Sequence, residues 1–328
     1  MDLKKELKKR RDFFDKQLEK FLSKGEPETL YDALRHLPLA GGKRLRPILS
    51  MISCESVNGD VIQVVPLSIA IELVHNFTLV HDDIMDKSKL RRGLPSVHKK
   101  FGEPTAIIAG DLLFAKAFES IHATTGDLES FKNVEYGLID CIREICEGQQ
   151  MDMEFEKRSI VNEEEYLEMI RKKTAVFFQY SAEAGAILGG GTKEQVNALN
   201  EYGLSLGLGF QIWDDYLDIS SNEDTLGKDI GNDIRNGKKT LIACHCLNNA
   251  KGEDKKTLQK IFGHQNATDR DVKTVHDLFK KIGSIEYAKK TATDFCNKAK
   301  KSIELLPDTD AKQIMIDLVE YATFKRKK

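Results

Sequence analysis

Between residues 69 and 84, apolar side chains occupy nearly every side of a helical projection, and this constrains the fold more than any other feature. Ala70, Leu73, Val74, Phe77, Val80 and Ile84 follow helical steps, while Ile69, Ile71 and Leu79 cover the opposite side. A helix that is apolar all round predicts the interior of a helical bundle. Similar spacing recurs over residues 105–121, 131–154, 163–187 and 196–217, and strand-like alternation is scarce. The expectation is an all-α chain forming a single domain over residues 1–328, with a more polar helical section after about Gly252.

The breaks between these stretches carry information of their own. Ala40-Gly41-Gly42-Lys43 predicts a turn leading to Pro47, a good first-turn residue for a helix. Arg91-Arg92-Gly93-Leu94-Pro95 reads as a loop, Gly189-Gly190-Gly191 as a helix end, and residues 221–237 as a polar, glycine-rich loop. The net charge is only -2, so no overall field suggests a nucleic acid or an acidic membrane as partner. Six cysteines form no repeated framework. The charged start offers no apolar signal region, and no unbroken apolar run is long enough to span a membrane. These features predict a cytoplasmic protein without stable membrane insertion.

Two acidic clusters stand out: Asp82-Asp83-Ile84-Met85-Asp86 and Asp214-Asp215-Tyr216-Leu217-Asp218. Residues four apart on a helix share a face, and like charges there destabilise it unless a cation neutralises them. Each cluster ends an apolar stretch, a poor setting for a merely solvated acidic surface. A small set of carboxylate ligands suits Mg²⁺, which keeps waters and binds substrate phosphates.

Three basic clusters complement them. Gly41-Gly42-Lys43-Arg44-Leu45-Arg46-Pro47 places Lys43 and Arg46 at a helix start, which favours anions. Arg91-Arg92-Gly93 follows Asp86 closely. Gly227-Lys228-Asp229-Ile230-Gly231-Asn232-Asp233 leads to Gly237-Lys238-Lys239-Thr240. Arginine binds phosphate bidentately and lysine as a point charge. One site type is then acidic, metal-bearing and basic, and the other purely basic, which suggests two diphosphates.

Together these stretches resemble the trans-type isoprenyl diphosphate synthases of the polyprenyl synthetase family, and most closely the archaeal-type geranylgeranyl diphosphate synthases. Further matches are Glu72-Leu73-Val74-His75, Gly110-Asp111, Gly148-Gln149 with Asp152, and Lys173-Thr174, all in the family's order. The resemblance implies an isoprenoid-synthase helical bundle around a central cavity, a homodimer, and condensation of isopentenyl diphosphate with an allylic diphosphate. It implies three Mg²⁺ ions per active site, with Asp82 and Asp86 as ligands and Asp214 coordinating from the opposite wall. Asp83, Asp152, Asp215 and Asp218 would act behind the ligands or through water. Arg91, Lys173, Thr174, Gln211, Lys228 and Lys238 would hold the allylic substrate, with Lys173, Lys228 and Lys238 also catalytic. Lys43, Arg46, His75 and Arg92 would hold isopentenyl diphosphate.

Product length would be set along the helix bearing Asp82, with Val74, Phe77 and Thr78 as candidate floor residues. Thr78 lies one turn below Asp82, whereas Phe77 points about 140° away at the helical angle. Geometry alone favours Thr78; the resemblance favours Phe77 and a geranylgeranyl product, with farnesyl diphosphate or a mixture as the alternative. A terpene cyclase is disfavoured by residues 41–47 and the second acidic cluster, and a non-catalytic subunit by the presence of both clusters. Cys244-His245-Cys246 lies in an apolar helical run without a second ligand pair and reads as structural. The tail Lys325–Lys328 reads as solubilising.

Overall fold

The helical spacing is realised almost throughout the computed structural model, which describes residues 2–124, 126–220 and 233–323. In order these form α1 (Leu3–Phe21), α2 (Glu28–His36), α3 (Leu45–Ser56), α4 (Val65–Met85) and α5 (Val97–Phe101). There follow α6 (Glu103–Ile121), α7 (Leu128–Glu156), α8 (Glu163–Ile170), α9 (Val176–Leu188) and α10 (Lys193–Ser220). Leu241–Asn249, Gly252–Ile261, Asp269–Lys281, Ser284–Ser302 and Asp310–Ala322 are also α-helical. The fold is all-α, as the sequence predicts. Lys228 and the tail Lys325–Lys328 lie outside the described residues.

The chain divides into two compact units. The first draws on residues 1–139, 180–199 and 305–315, and the second on 140–179, 200–304 and 316–328. In the first, α4 packs against α6 and α3. Leu67, Ala70, Ile71, Leu73 and Val74 are wholly buried there. Each buried Leu or Ile contributes about 1.5–3 kcal/mol through the area it removes from water. Val61–Met85 is long and apolar enough to cross a membrane by length and composition, but more than half of its most apolar window is buried in the protein. Counting unbroken apolar residues missed this, because Glu72, His75 and Asn76 interrupt the run. In the second unit, Leu241–Asn249 packs on Ser284–Ser302, and Gly252–Ile261 on Asp269–Lys281.

Local chemistry explains the boundaries. Asn162 and Glu165 form a reciprocal capping box at the start of α8. Pro66 stands in the first turn of α4, where its missing N–H costs nothing. Gly190, at φ 75°, follows the end of α9 as expected from its triple glycine.

Three expectations need correction. Residues 91–95 are more than a loop: Leu90–Arg91 and Leu94–Pro95 pair antiparallel. Arg92 and Gly93, at φ 53° and 76°, make the two-residue turn whose positive angles match strand twist. An Arg-Gly pair lacks the Asn-Gly or Asp-Gly signal, so the hairpin was not legible. Residues 163–187 are not one regular helix, because Arg171–Ala175 widens into a π-helical turn between α8 and α9. Residues 233–236, within the expected polar loop, are helical.

Candidate active site

The first unit carries the first acidic cluster at the C-terminal end of α4, where the negative end of the helix dipole already disfavours negative charge. The three aspartates divide by environment. Asp83 is buried, and its Oδ1 accepts from Arg91 Nε at 2.9 Å and Nη2 at 2.5 Å. This pair pins the hairpin to the helix. Burial works against the Arg91 charge, but the bond to Asp83 and the charges of Asp83, Asp82 and Asp86 prevail and push its pKa up. Asp82 is half-buried and Asp86 exposed.

These residues suit a hydrated divalent ion. The donors are carboxylate oxygens, two on one helix face, and buried Asp83 Oδ2 has no hydrogen-bond partner. Among the described residues no three His, Cys, Asp or Glu side chains gather into a metal site. A cation held here must therefore take further ligands from water or substrate, as Mg²⁺ commonly does.

Farther back on α4 the chemistry turns basic. Gly41 and Gly42, at φ 88° and 150°, carry the chain to Arg44, which caps α3 at φ 53°. Arg44 is buried and forks three ways: to Asp15 at 2.8 Å, Glu72 at 2.5 Å and the Pro38 carbonyl at 2.6 Å. Glu72 also accepts from Asn76 at 2.9 Å and lies 3.7 Å from Arg92. Arg92 donates to the carbonyls of Gly41 at 2.5 Å and Leu37 at 3.1 Å, tying the hairpin to the loop that holds Lys43, just ahead of Arg46 in the first turn of α3. A Cβ on Gly42 would press against the Arg92 guanidinium.

His75 lies in the field of this cluster. Burial first, then Arg46, Arg92, Arg44 and Arg91, pushes its pKa well below the ordinary histidine range. The imidazole is therefore neutral at neutral pH. In the unfolded chain it titrates near about 6.5, so acidification through that value loads a proton onto the unfolded state first and stability falls. His75→Asn should reduce the loss of melting temperature on acidification from about pH 7.5 to about 5.5. An equal loss in both proteins would contradict the depressed pKa.

The proposed floor residues diverge. Val74 is buried. Thr78 turns its hydroxyl back to the His75 carbonyl at 2.9 Å. Phe77 faces α6, its ring 4.9 Å from His81 and 5.5 Å from Phe114. Gly110 on α6 leaves room for His81, into which a Cβ would project.

In the second unit the π-helical turn sorts a basic run. Arg171 pairs with Glu144 and Glu168, and Lys172 with Glu147. Lys173 is thereby directed to Asp152, at 2.5 Å. Thr174 donates to Gln211 at 3.0 Å, and Gln211 donates to Asp215 at 3.1 Å. The other Asp215 oxygen accepts from Tyr166 at 2.8 Å. Burial raises the Asp215 pKa, against Lys238, Tyr166 and Gln211, which lower it. Burial also opposes the Lys238 charge, but Asp215, Asp233 and Asp152 outweigh it and raise its pKa. Asp214 and Asp218 are half-buried on the same helix. In both clusters, then, the second aspartate is buried and committed to protein partners.

Gly148 permits this arrangement, since a Cβ there would collide with the Lys173 backbone nitrogen. Gly148→Ala should displace the π-helical turn, cost about 1–3 kcal/mol in overpacking, and reduce turnover. Unchanged stability and rate would show that the turn is not held by this approach.

Sequence reasoning gave no role to Arg44 and Glu72, though both lie in the stretches it singled out, and it missed Tyr166. A charge at Glu72, inside an otherwise apolar stretch, was the available signal for one of them. Tyr166 carried none, because its partner is far along the chain. Cys244 and Cys246 are buried, and His245 stacks on Tyr287 at 4.2 Å and meets Ser284 at 2.9 Å.

The polyprenyl synthetase family model matches residues 27–279. A short chain isoprenyl diphosphate synthase of Methanothermobacter thermautotrophicus is 43% identical, covering 96% of each chain. The crystal structure of a geranylgeranyl pyrophosphate synthetase from Pyrococcus horikoshii superposes with a TM-score of 0.93 at 43% identity, over 99% of each chain. A polyprenyl synthase from Caulobacter crescentus, solved with calcium and isoprenyl diphosphate, has a TM-score of 0.85 at 30% identity, over 98% of this chain and 96% of that one. The chain belongs to the polyprenyl synthetase family and is a prenyltransferase.

Proposed function

We propose that this prenyltransferase condenses isopentenyl diphosphate with dimethylallyl, geranyl and farnesyl diphosphates to give geranylgeranyl diphosphate. The observation that carries the reading is α4, which ends in a carboxylate pair and, farther back, bears a neutral histidine facing four arginines. An acidic site needing a cation and a basic site needing none would hold two diphosphates in different ways. The geranylgeranyl and short-chain names of the relatives support the product class.

In this reading Asp82, Asp86 and Asp214 hold Mg²⁺, three ions per active site, and the calcium-bound relative supports a divalent ion. When bound, the metal neutralises charge that grows on the departing pyrophosphate. Asp83 holds Arg91 to the allylic diphosphate. Asp152 orients Lys173, and Asp215 orients Gln211 and thereby Thr174, for the same substrate. Asp218 acts through water. Lys173, Lys228 and Lys238 supply positive charge as the allylic carbon–oxygen bond breaks. Lys43, Arg46, His75 and Arg92 hold isopentenyl diphosphate, whose double bond attacks the allylic cation. A proton then leaves to the released pyrophosphate, completing the new carbon–carbon bond and restoring a double bond.

The active protein is read as one functional domain over residues 1–328, a cytoplasmic homodimer without stable membrane insertion. Among the described residues its cysteines form no disulfide, which supports a reducing compartment. Incubation with labelled isopentenyl diphosphate and each primer tests the product. A twenty-carbon chain is expected; a dominant fifteen-carbon product, or one beyond twenty, would sink it.

Phe77 is the proposed floor, supported by its packing against His81 and Phe114. Phe77→Ala should lengthen the product, and an unchanged product spectrum would remove Phe77 from that role.

A further inference from the structure

The second unit encloses a cavity of about 370 Å³ that the condensation chemistry does not use. That volume lies within the range of small-molecule sites. Lys157 and Arg158, just beyond α7, line it together with Lys239 and Lys255. Leu247, Leu258 and Phe262 provide an apolar wall. Glu156 is the acid that faces these cations. Arg158 is already paired with Glu165 at 2.8 Å, so the remaining lysines dominate the local charge.

Lys239 is the unusual member. It is 5% exposed, donates to the Gly237 carbonyl at 2.6 Å, and lies 5.2 Å from the centroid of the Phe262 ring. Among the described residues its recorded contacts are one carbonyl and one aromatic face, and Glu156 acts on it without a recorded ion pair. Burial first, with Arg158 acting in the same direction, pushes its pKa down against Cys244 and Glu156. An anion at Lys239 would restore the missing counter-charge.

We propose that this chamber binds an organic phosphate, its phosphoryl group at Lys239 and Lys255 and its apolar body along Phe262 and Leu258. The link from Gly237 to Thr240 joins the chamber to Lys238, whose charge is balanced by Asp215, Asp233 and Asp152. The link is tightly held: Lys238 N donates to Asp233 O, Thr240 N to Lys238 O, and Gly263 N to Ile234 O. A Cβ on Gly237 would also press on the Gly263 backbone. A ligand that draws Lys239 from the Gly237 carbonyl therefore perturbs Lys238, so occupancy changes turnover. Only this kinetic consequence rests on the proposed condensation.

Calorimetry on the full-length protein in EDTA tests the chamber, with farnesyl monophosphate and adenosine 5′-monophosphate as probes and inorganic phosphate as the bare head group. One organic probe should bind saturably and about tenfold more tightly than phosphate, and Lys255→Glu or Lys239→Met should weaken it by about tenfold. Preference for the farnesyl probe identifies a prenyl source, and preference for the adenosine probe a nucleotide source. Lys255→Glu, on an exposed helix surface, carries the test should Lys239→Met fail to fold. It should leave kcat without probe unchanged and abolish the probe's effect on kcat. Binding unaffected by Lys255→Glu, or no tighter for either organic probe than for phosphate, overturns the proposal. An inactive protein that still binds a probe through Lys255 contradicts the condensation reading and leaves the chamber standing.

Discussion

Asp82→Ala should lower kcat by about three orders of magnitude. The metal's stabilisation of the departing diphosphate is worth several kcal/mol, and about 1.4 kcal/mol corresponds to a factor of ten in rate. Stability should move little. Removing one of the three carboxylates at the negative end of α4 relieves repulsion with its neighbours and the helix dipole but forfeits its attraction for Arg91, each by a few tenths to about 1 kcal/mol. The metal-free variant should thus melt close to the wild-type temperature. A wild-type rate would end the metal assignment. A large fall in stability would instead mean that Asp82 is a structural anchor, the part the geometry gives to Asp83 and Arg91.

Glu72→Gln should have the largest effect on stability, at about 3–5 kcal/mol, as for removing one member of a buried ion pair. The side chains of Arg44 and Glu72 are each 2% exposed. Without the carboxylate, Arg44 keeps Asp15 as its charged partner, and Asp15 lies closer to solvent. Chemical denaturation measures the loss. The double variant Arg44→Met with Glu72→Met should recover much of it, because an apolar pair avoids the desolvation cost. Recovery of stability without recovery of KM for isopentenyl diphosphate would identify Glu72 as a positioning residue for Arg92 and the loop of Lys43. A single variant as stable as wild type would contradict the buried Arg44–Glu72 pair as an anchor.

The all-α class was legible because α4, α6, α7 and α10 repeat their apolar residues at helical steps, and periodicity reports directly on buried helix faces. The turn at Gly41 and Gly42 was legible from glycine alone. What sequence could not give was set by partners distant along the chain. The π-helical turn depends on Gly148 and on Glu144 and Glu147, more than twenty residues earlier, so its own sequence reads as plain helix. The hairpin at Arg92 and Gly93 is held by Asp83 and by the carbonyls of Leu37 and Gly41. The acidic clusters were found by spacing, but their internal division was not. Burial and the partners it brings, Arg91 for Asp83 and Tyr166 and Gln211 for Asp215, set these two apart from their neighbours.

The central claim is that one diphosphate is held through metal and the other through side chains alone. Calorimetric binding of isopentenyl diphosphate and of a non-ionisable allylic diphosphate analogue, each with Mg²⁺ and then with EDTA, tests it most directly. The account predicts that EDTA abolishes binding of the allylic analogue and leaves isopentenyl diphosphate bound through Lys43, Arg46, His75 and Arg92. Loss of both ligands in EDTA, or retention of both, would contradict it.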